Sequence, residues 1–159
     1  MSGRAWLVQM DSEGACSEVL ERAEVTWPAV NRFLDDIAPG DRVVMWVSGS
    51  GYRAGVFGLG IVDGALEERP HKANYGDGGE EDRWVLRASM PVRYTAIFER
   101  PVVTRDQLRP LAEFEDFPLF KFAKGANPRA LTNAQWDRIV SEIVASVPAA
   151  EGAQVLGGC

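Results

Sequence analysis

Two apolar runs separated by a glycine turn constrain this chain most. Arg42-Val-Val-Met-Trp-Val47 is rich in β-formers, Ser48-Gly-Ser-Gly51 is a turn, and Gly55-Val-Phe-Gly-Leu-Gly-Ile-Val62 is a second such run. Together they predict two paired antiparallel strands. Gly58 and Gly60 fall on one face of the second run. Missing side chains there let another backbone or a ligand come close, or let the strand bend as barrel strands do.

Around this hairpin the pattern alternates between periods of two and 3.6. Arg4 to Met10 reads as a short strand, and Ser17 followed by Glu18 to Ala23 as a helical stretch. Thr26 has the place of an N-cap with Pro28 in the first turn. Val30, Phe33, Leu34 and Ile37 then predict an amphipathic helix that Pro39-Gly40 stops. Residues 64–82, rich in glycine and acids, read as a long loop. Trp84 to Tyr94 is a further strand in which Pro91 marks an edge or bulge, and Ala96 to Val103 is another candidate.

Thr104-Arg-Asp-Gln107 and Thr132-Asn-Ala-Gln135 are capping boxes. The first opens a short helix ending near Pro110; the second follows a loop at 123–131. It opens a helix whose apolar face is Trp136, Ile139, Val140, Ile143, Val144 and Val147. There is no internal repeat, and no regular βαβα alternation of the kind that makes a parallel sheet. The expected class is α+β with a mainly antiparallel sheet, residues 1–147 forming one domain and 148–159 a flexible tail.

Composition excludes several function classes. A chain of 159 residues with 46% hydrophobic residues closes a core without metal or disulfide staples. Cys16 and Cys159 make no disulfide framework or zinc pair, which fits a reducing cytoplasm. No segment has the length and apolarity of a signal or membrane span. The net charge of −6 argues against strong unspecific attachment to nucleic acid or anionic lipid. Two stretches depart from that acidity. Between Asp116 and Asp137 stand Lys121, Lys124 and Arg129 with no acid, and between Trp84 and Phe98 the only charges are Arg87 and Arg93.

Catalytic and cofactor chemistry finds little support. His71 is the only histidine and has no metal partner at ligand spacing. Neither cysteine lies in a nucleophile signature, and Asp35-Asp36, opposite the apolar face of the expected helix, reads as solvated surface. The glycines at 49, 51 and 55, and at 58, 60 and 64, are spaced one residue too long for a dinucleotide loop, and neither set opens a helix. The five tryptophans are more informative. Trp6, Trp27, Trp46 and Trp84 lie at or inside predicted elements, Trp136 on the last helix. Indole at an element end lines pockets and stacks flat groups, although singly it is more often core.

The order of residues resembles the EVE domain. The match runs from the Trp6 strand through Trp27-Pro-Ala-Val-Asn31-Arg32, Ile37-Ala-Pro-Gly40-Asp41, Trp46-Val-Ser48-Gly49 and Ala54 to Val62. It continues with Asp82-Arg-Trp84-Val, Arg100-Pro101 and Asn127-Pro-Arg-Ala-Leu-Thr132 to Trp136-Asp-Arg-Ile139, covering residues 4–147. That family is similar to YTH and ASCH domains and shares their PUA-like fold, a bent antiparallel β-barrel flanked by helices. The resemblance implies binding of DNA or RNA that carries a modified base, with 5-methylcytosine or a related cytosine first, often beside restriction or other effector proteins.

Position by position, the resemblance implies that Trp27 and Trp84 wall an aromatic cage, that Asn31 and Ser48 contact its rim, and that Trp46 supports its floor. Asn127 and Pro128 match the loop closing one side, and Lys121, Lys124 and Arg129 the phosphate contacts. Asp11 stands where related domains often carry Asn; its carboxylate accepts from an exocyclic amine but cannot donate. No cofactor or metal is implied. The competing reading is a small ASCH-like nuclease or nucleotide hydrolase using Asp11 with Lys124 or another cation of the 121–129 loop.

Overall fold

The structure, a computed structural model, describes residues 3–10, 25–48, 54–72, 84–98, 100–121 and 126–146. Asp11, Lys124, both cysteines, the expected helix at 17–23, the turn at Gly49–Gly51 and the 148–159 tail lie outside the described residues. The main sheet is built around β1 (Ala5–Met10), which pairs in parallel with β3 (Arg42–Val47) and antiparallel with β9 (Arg129–Leu131). β3 and β4 (Gly55–Val62) form the antiparallel pair that the two apolar runs predict. β4 pairs in turn with β7 (Val92–Ile97) and β8 (Val103–Thr104), and β7 with β2 (Val25–Thr26). The path is β2-β7-β4-β3-β1-β9.

Register shifts at Met45/Trp46 and at Leu59/Gly60 bend this sheet. Gly60 stands at the second one, where a Cβ would lie 2.6 Å from the Arg93 carbonyl oxygen and 2.8 Å from Val92 Cγ1. The glycine therefore serves the close approach of β7. The ladder is bent rather than closed: between its end strands, backbone hydrogen bonds run from the Asn31 and Arg32 amides to the Asn127 carbonyl, 2.7 and 3.2 Å.

The core lies on both faces of the sheet. Val44 and Trp46 face the helices with Leu7, Phe114 and Ile139, whereas Val43, Met45 and Val47 face Val8, Val30, Met90 and Val92. Burial on both faces is why β3 reads as a continuous apolar run rather than an alternation. The helices are α1 (Arg105–Leu108), α2 (Pro118–Lys121) and α3 (Asn133–Ser146), with a 3-10 turn at Ala112–Phe114. Both capping boxes form: Gln107 and Gln135 amides donate to Thr104 and Thr132 hydroxyls, and the two glutamine side chains accept from the threonine amides.

Five expectations are corrected. Residues 26–37 are not a helix; Val30 donates to Ala88, Met90 donates to Pro28, and Ala29 bridges Ser89. The segment extends along residues 88–93, and a single turn closes only at Phe33, whose φ is 58°. Its spaced apolar residues do not share one face: Val30 is core, while Leu34 is 43% exposed. The 64–82 loop contains β5 (Glu67–Lys72), which pairs with β6 (Trp84–Ser89) in a separate hairpin. β5 has one partner, so its other edge accommodates Pro70. The strand expected over 84–94 is split at Met90-Pro91 between two sheets, and that over 96–103 is divided, Ala96 and Ile97 ending β7 and Val103 opening β8. On α3, Gln135, Ile139 and Ile143 are buried but Val144 is 71% exposed, facing away from them.

Candidate functional site

The side chains singled out in the sequence gather around Asn127. Its Oδ1 accepts from the Gln9 amide at 2.9 Å, and its Nδ2 donates to the Gln9 carbonyl at 3.2 Å and the Ala29 carbonyl at 3.0 Å. Its own amide donates to Asn31 Oδ1 at 2.9 Å. One asparagine thus joins the end of β1, the segment after β2 and the approach to β9. An amide side chain is the residue type that accepts and donates at once, as this joint requires.

Ser48 and Gln9 form the next polar pair. Gln9 Nε2 donates to Ser48 Oγ at 2.6 Å, and the Ser48 amide donates to the Met10 carbonyl at 2.8 Å. In the parallel register Gln9 lies beside Trp46, so Trp46 shares their face. Trp46 is 2% exposed and lies 6.1 Å from the Phe120 ring, a core side chain beneath the polar pair.

Trp27 follows β2 and is half-buried, with the Arg69 guanidinium 3.8 Å from its ring centroid. That stack is a cation–π contact between two flat groups. Trp84 opens β6 and is 57% exposed. Arg69 pairs with Arg87, and Trp84 with Lys72, so strand alternation places Trp84 and Arg69 on opposite faces of the hairpin. In β2, Thr26 Oγ1 donates to the Tyr94 phenol oxygen at 3.1 Å, and that phenol donates toward Met10 Sδ at 3.8 Å. Burial pushes the Tyr94 phenol up to about 12 against the opposing Thr26 bond, so it stays a neutral donor.

The hairpin also uses the lone histidine. His71 Nε2 lies 2.8 Å from Ser89 Oγ, whose single proton goes to the Arg87 carbonyl. Nε2 therefore carries the donated proton. Burial, then the Arg87 charge, holds His71 below its usual range. It is a structural contact between β5 and β6.

The three expected phosphate contacts separate. Lys121 is exposed and paired with Asp116 at 2.7 Å, Lys124 lies outside the described residues, and Arg129 is 8% exposed in the wall of a pocket that Arg32 also lines. Pro128 lines the same pocket. Gln9, Arg69, Tyr94 and Arg32 went unremarked as site residues in the sequence. Arg32 carried the one available signal, its place directly after Asn31. Among the described residues no group of three His, Cys, Asp or Glu is placed to hold a metal, and no helix is long and apolar enough to cross a membrane.

The EVE domain family model matches residues 4–142. No curated protein matches. Among solved structures, a Pseudomonas putida protein is 20% identical, covering 88% of this chain and 99% of its own at a TM-score of 0.65. A Leishmania major protein is 16% identical over 89% of this chain and 95% of its own, TM-score 0.64. Human THYN1, solved in complex with DNA containing 5-methylcytosine, is 17% identical over 89% of this chain and 98% of its own, TM-score 0.61. At these identities the likeness is one of fold, the bent-sheet, PUA-like α+β architecture.

Proposed function

This chain belongs to the EVE-domain family, and from that premise we propose that it binds nucleic acid carrying a modified base, a methylated or related cytosine in DNA first, without transforming it. The carrying observation is the half-buried Trp27 ring, covered by a guanidinium at 3.8 Å. A pyrimidine is flat like a guanidinium and stacks on indole for about 1–3 kcal/mol, so the base takes the place of Arg69. Asn31, held by Asn127, and Ser48, held by Gln9, supply polar groups at the rim. Trp84 meets the strand from the other hairpin face. Pro128 closes the joint side, Trp46 fills the core below, Asp11 faces the exocyclic amine, and Lys121, Lys124 and Arg129 serve the phosphates.

A duplex base must leave the stack at a cost of a few kcal/mol, so single-stranded or mismatched sites bind more tightly than paired ones. Burying the 5-methyl group contributes about 0.8 kcal/mol, roughly a fourfold preference over plain cytosine. The bound domain acts by recruiting or occluding an effector, for which a restriction protein is the first candidate, in a reducing cytoplasm. The support for this reading is the family, the THYN1 fold likeness and the stacked Trp27.

Equilibrium binding of oligonucleotides with cytosine, 5-methylcytosine, 5-hydroxymethylcytosine or N6-methyladenine, for wild type, Trp27→Ala and Trp84→Ala, tests it. Preference for one modified base, lost in Trp27→Ala with the fold intact, is expected. Equal affinity for modified and plain strands refutes it.

A further inference from the structure

Behind the Asn31–Asn127 joint lies a second concavity of about 170 Å³. It is smaller than the several hundred Å³ of sites for drug-sized ligands, with room for roughly five water volumes. Among the described residues its lining has two cationic side chains, Arg32 and Arg129; the rest is apolar, with Phe33, Phe117 and Pro128 prominent. We propose that this pocket is an anion site that seats a phosphate group beside the base site.

Three observations carry the assignment. Arg129 is 8% exposed on β9, so its charge stands in the pocket wall instead of the solvent. Arg32 is exposed and lines the same pocket, and its guanidinium lies 5.3 Å from the ring centroid of Phe33, another lining residue. Two guanidinium side chains lining one small cavity offer charge-assisted hydrogen bonds to one bound anion. Burial, then the Arg32 charge, holds the Arg129 guanidinium below its usual range, the direction that shared positive charge gives.

The position ties the pocket to the strand. Arg32 directly follows Asn31, and Arg129 lies two residues beyond Asn127; the Asn127 carbonyl accepts from both the Asn31 and Arg32 amides. The base rim and the pocket are thus two sides of one joint. On a chain of net charge −6, a local pair of cations favours a phosphate placed by the pocket over unspecific adhesion. The anion site stands on these residues alone. That the anion is a strand phosphate rests on the base-binding reading.

Arginine Nε–H resonances followed during titration with inorganic phosphate, for wild type and Arg32→Gln, test the site without any base. Arg32 is exposed, so that variant keeps the fold. Salt-dependent binding of an oligonucleotide with one 5-methylcytosine tests the source of the phosphate. Phosphate shifts both arginine signals in wild type and not that of Arg129 in Arg32→Gln. The variant binds modified and plain strands more weakly by the same factor, roughly tenfold, with a salt slope shallower by about 0.7–1. Equal affinity for modified and plain strands, with the phosphate shifts intact, removes the base reading and leaves a site for free phosphate or a phosphorylated small molecule. Unmoved arginine signals overturn the anion site, even where base selectivity survives. A salt slope unchanged in Arg32→Gln overturns the strand phosphate as its source.

Discussion

Replacing Asn127 with alanine removes three hydrogen bonds and the joint between three segments. The side chain accepts from Gln9 at 2.9 Å and donates to Gln9 and Ala29 carbonyls at 3.2 and 3.0 Å. Each part-buried bond contributes about 1 kcal/mol, so Asn127→Ala loses roughly 3 kcal/mol. At about 2–4 °C per kcal/mol for a chain of this length, Tm falls by roughly 6–12 °C. Asn127→Asp separates hydrogen bonding from packing. It keeps the shape and the acceptor for Gln9, but sets an oxygen against two carbonyl oxygens, and loses at least as much. Thermal unfolding by circular dichroism and calorimetry, with Val144→Ala as a surface control, measures both. A fall below about 2 °C in the two Asn127 variants, or an aspartate tolerated like asparagine, refutes the reasoning. Modified-base affinity, measured below the lowered Tm, falls in the same variants, because the Asn31 rim loses its anchor.

The other predictions touch separate parts of the fold. Arg69→Ala uncovers Trp27 and removes a cation–π contact of about 0.5–2 kcal/mol, so modified-base affinity rises roughly 2- to 30-fold; a weaker complex in fluorescence titration means that Arg69 stays on the base. Tyr94 is raised from 10.0 to about 12, so its stabilising share is complete below pH 10 and is lost as pH rises through about 12. That share is roughly 2–3 kcal/mol, and urea unfolding across this window shows an alkaline decline that Tyr94→Phe removes; the same decline in both proteins rules Tyr94 out as its source. Gly60→Ala brings a methyl group within 2.6 Å of the Arg93 carbonyl and costs about 1–3 kcal/mol, read from the urea midpoint; a neutral result means that β7 moves away without penalty.

Local chemistry was legible from residue order. Thr104 with Gln107 and Thr132 with Gln135 cap their helices as their three-residue spacing predicts, and the β3–β4 pairing follows from two apolar runs around a turn. The EVE resemblance rested on such short motifs, and the family match over residues 4–142 agrees with it. Residues 26–37 misled because Val30, Phe33, Leu34 and Ile37 do recur at helical spacing. The backbone instead found partners at residues 88–93, whose hydrogen bonds satisfy an extended chain. β5 was hidden by its composition: a hairpin with one partner and little core to cover tolerates Pro70 and charged residues that a central strand would not.

What residue order determined was whatever a few neighbouring residues decide among themselves: caps and the strand character of apolar runs. Tertiary structure decided which of these segments met. Asn127 and Gln9 are 118 positions apart, and no local spacing announces that one side chain holds both the end of β1 and the segment before Asn31. Residue order marks Arg129 as a phosphate contact and gives Arg32 no such role, and the two share a pocket because that same joint brings their segments together. Hydrogen bonds and charge interactions depend on distance in space, whereas sequence motifs record distance along the chain. Long-range sheet pairing converts one into the other.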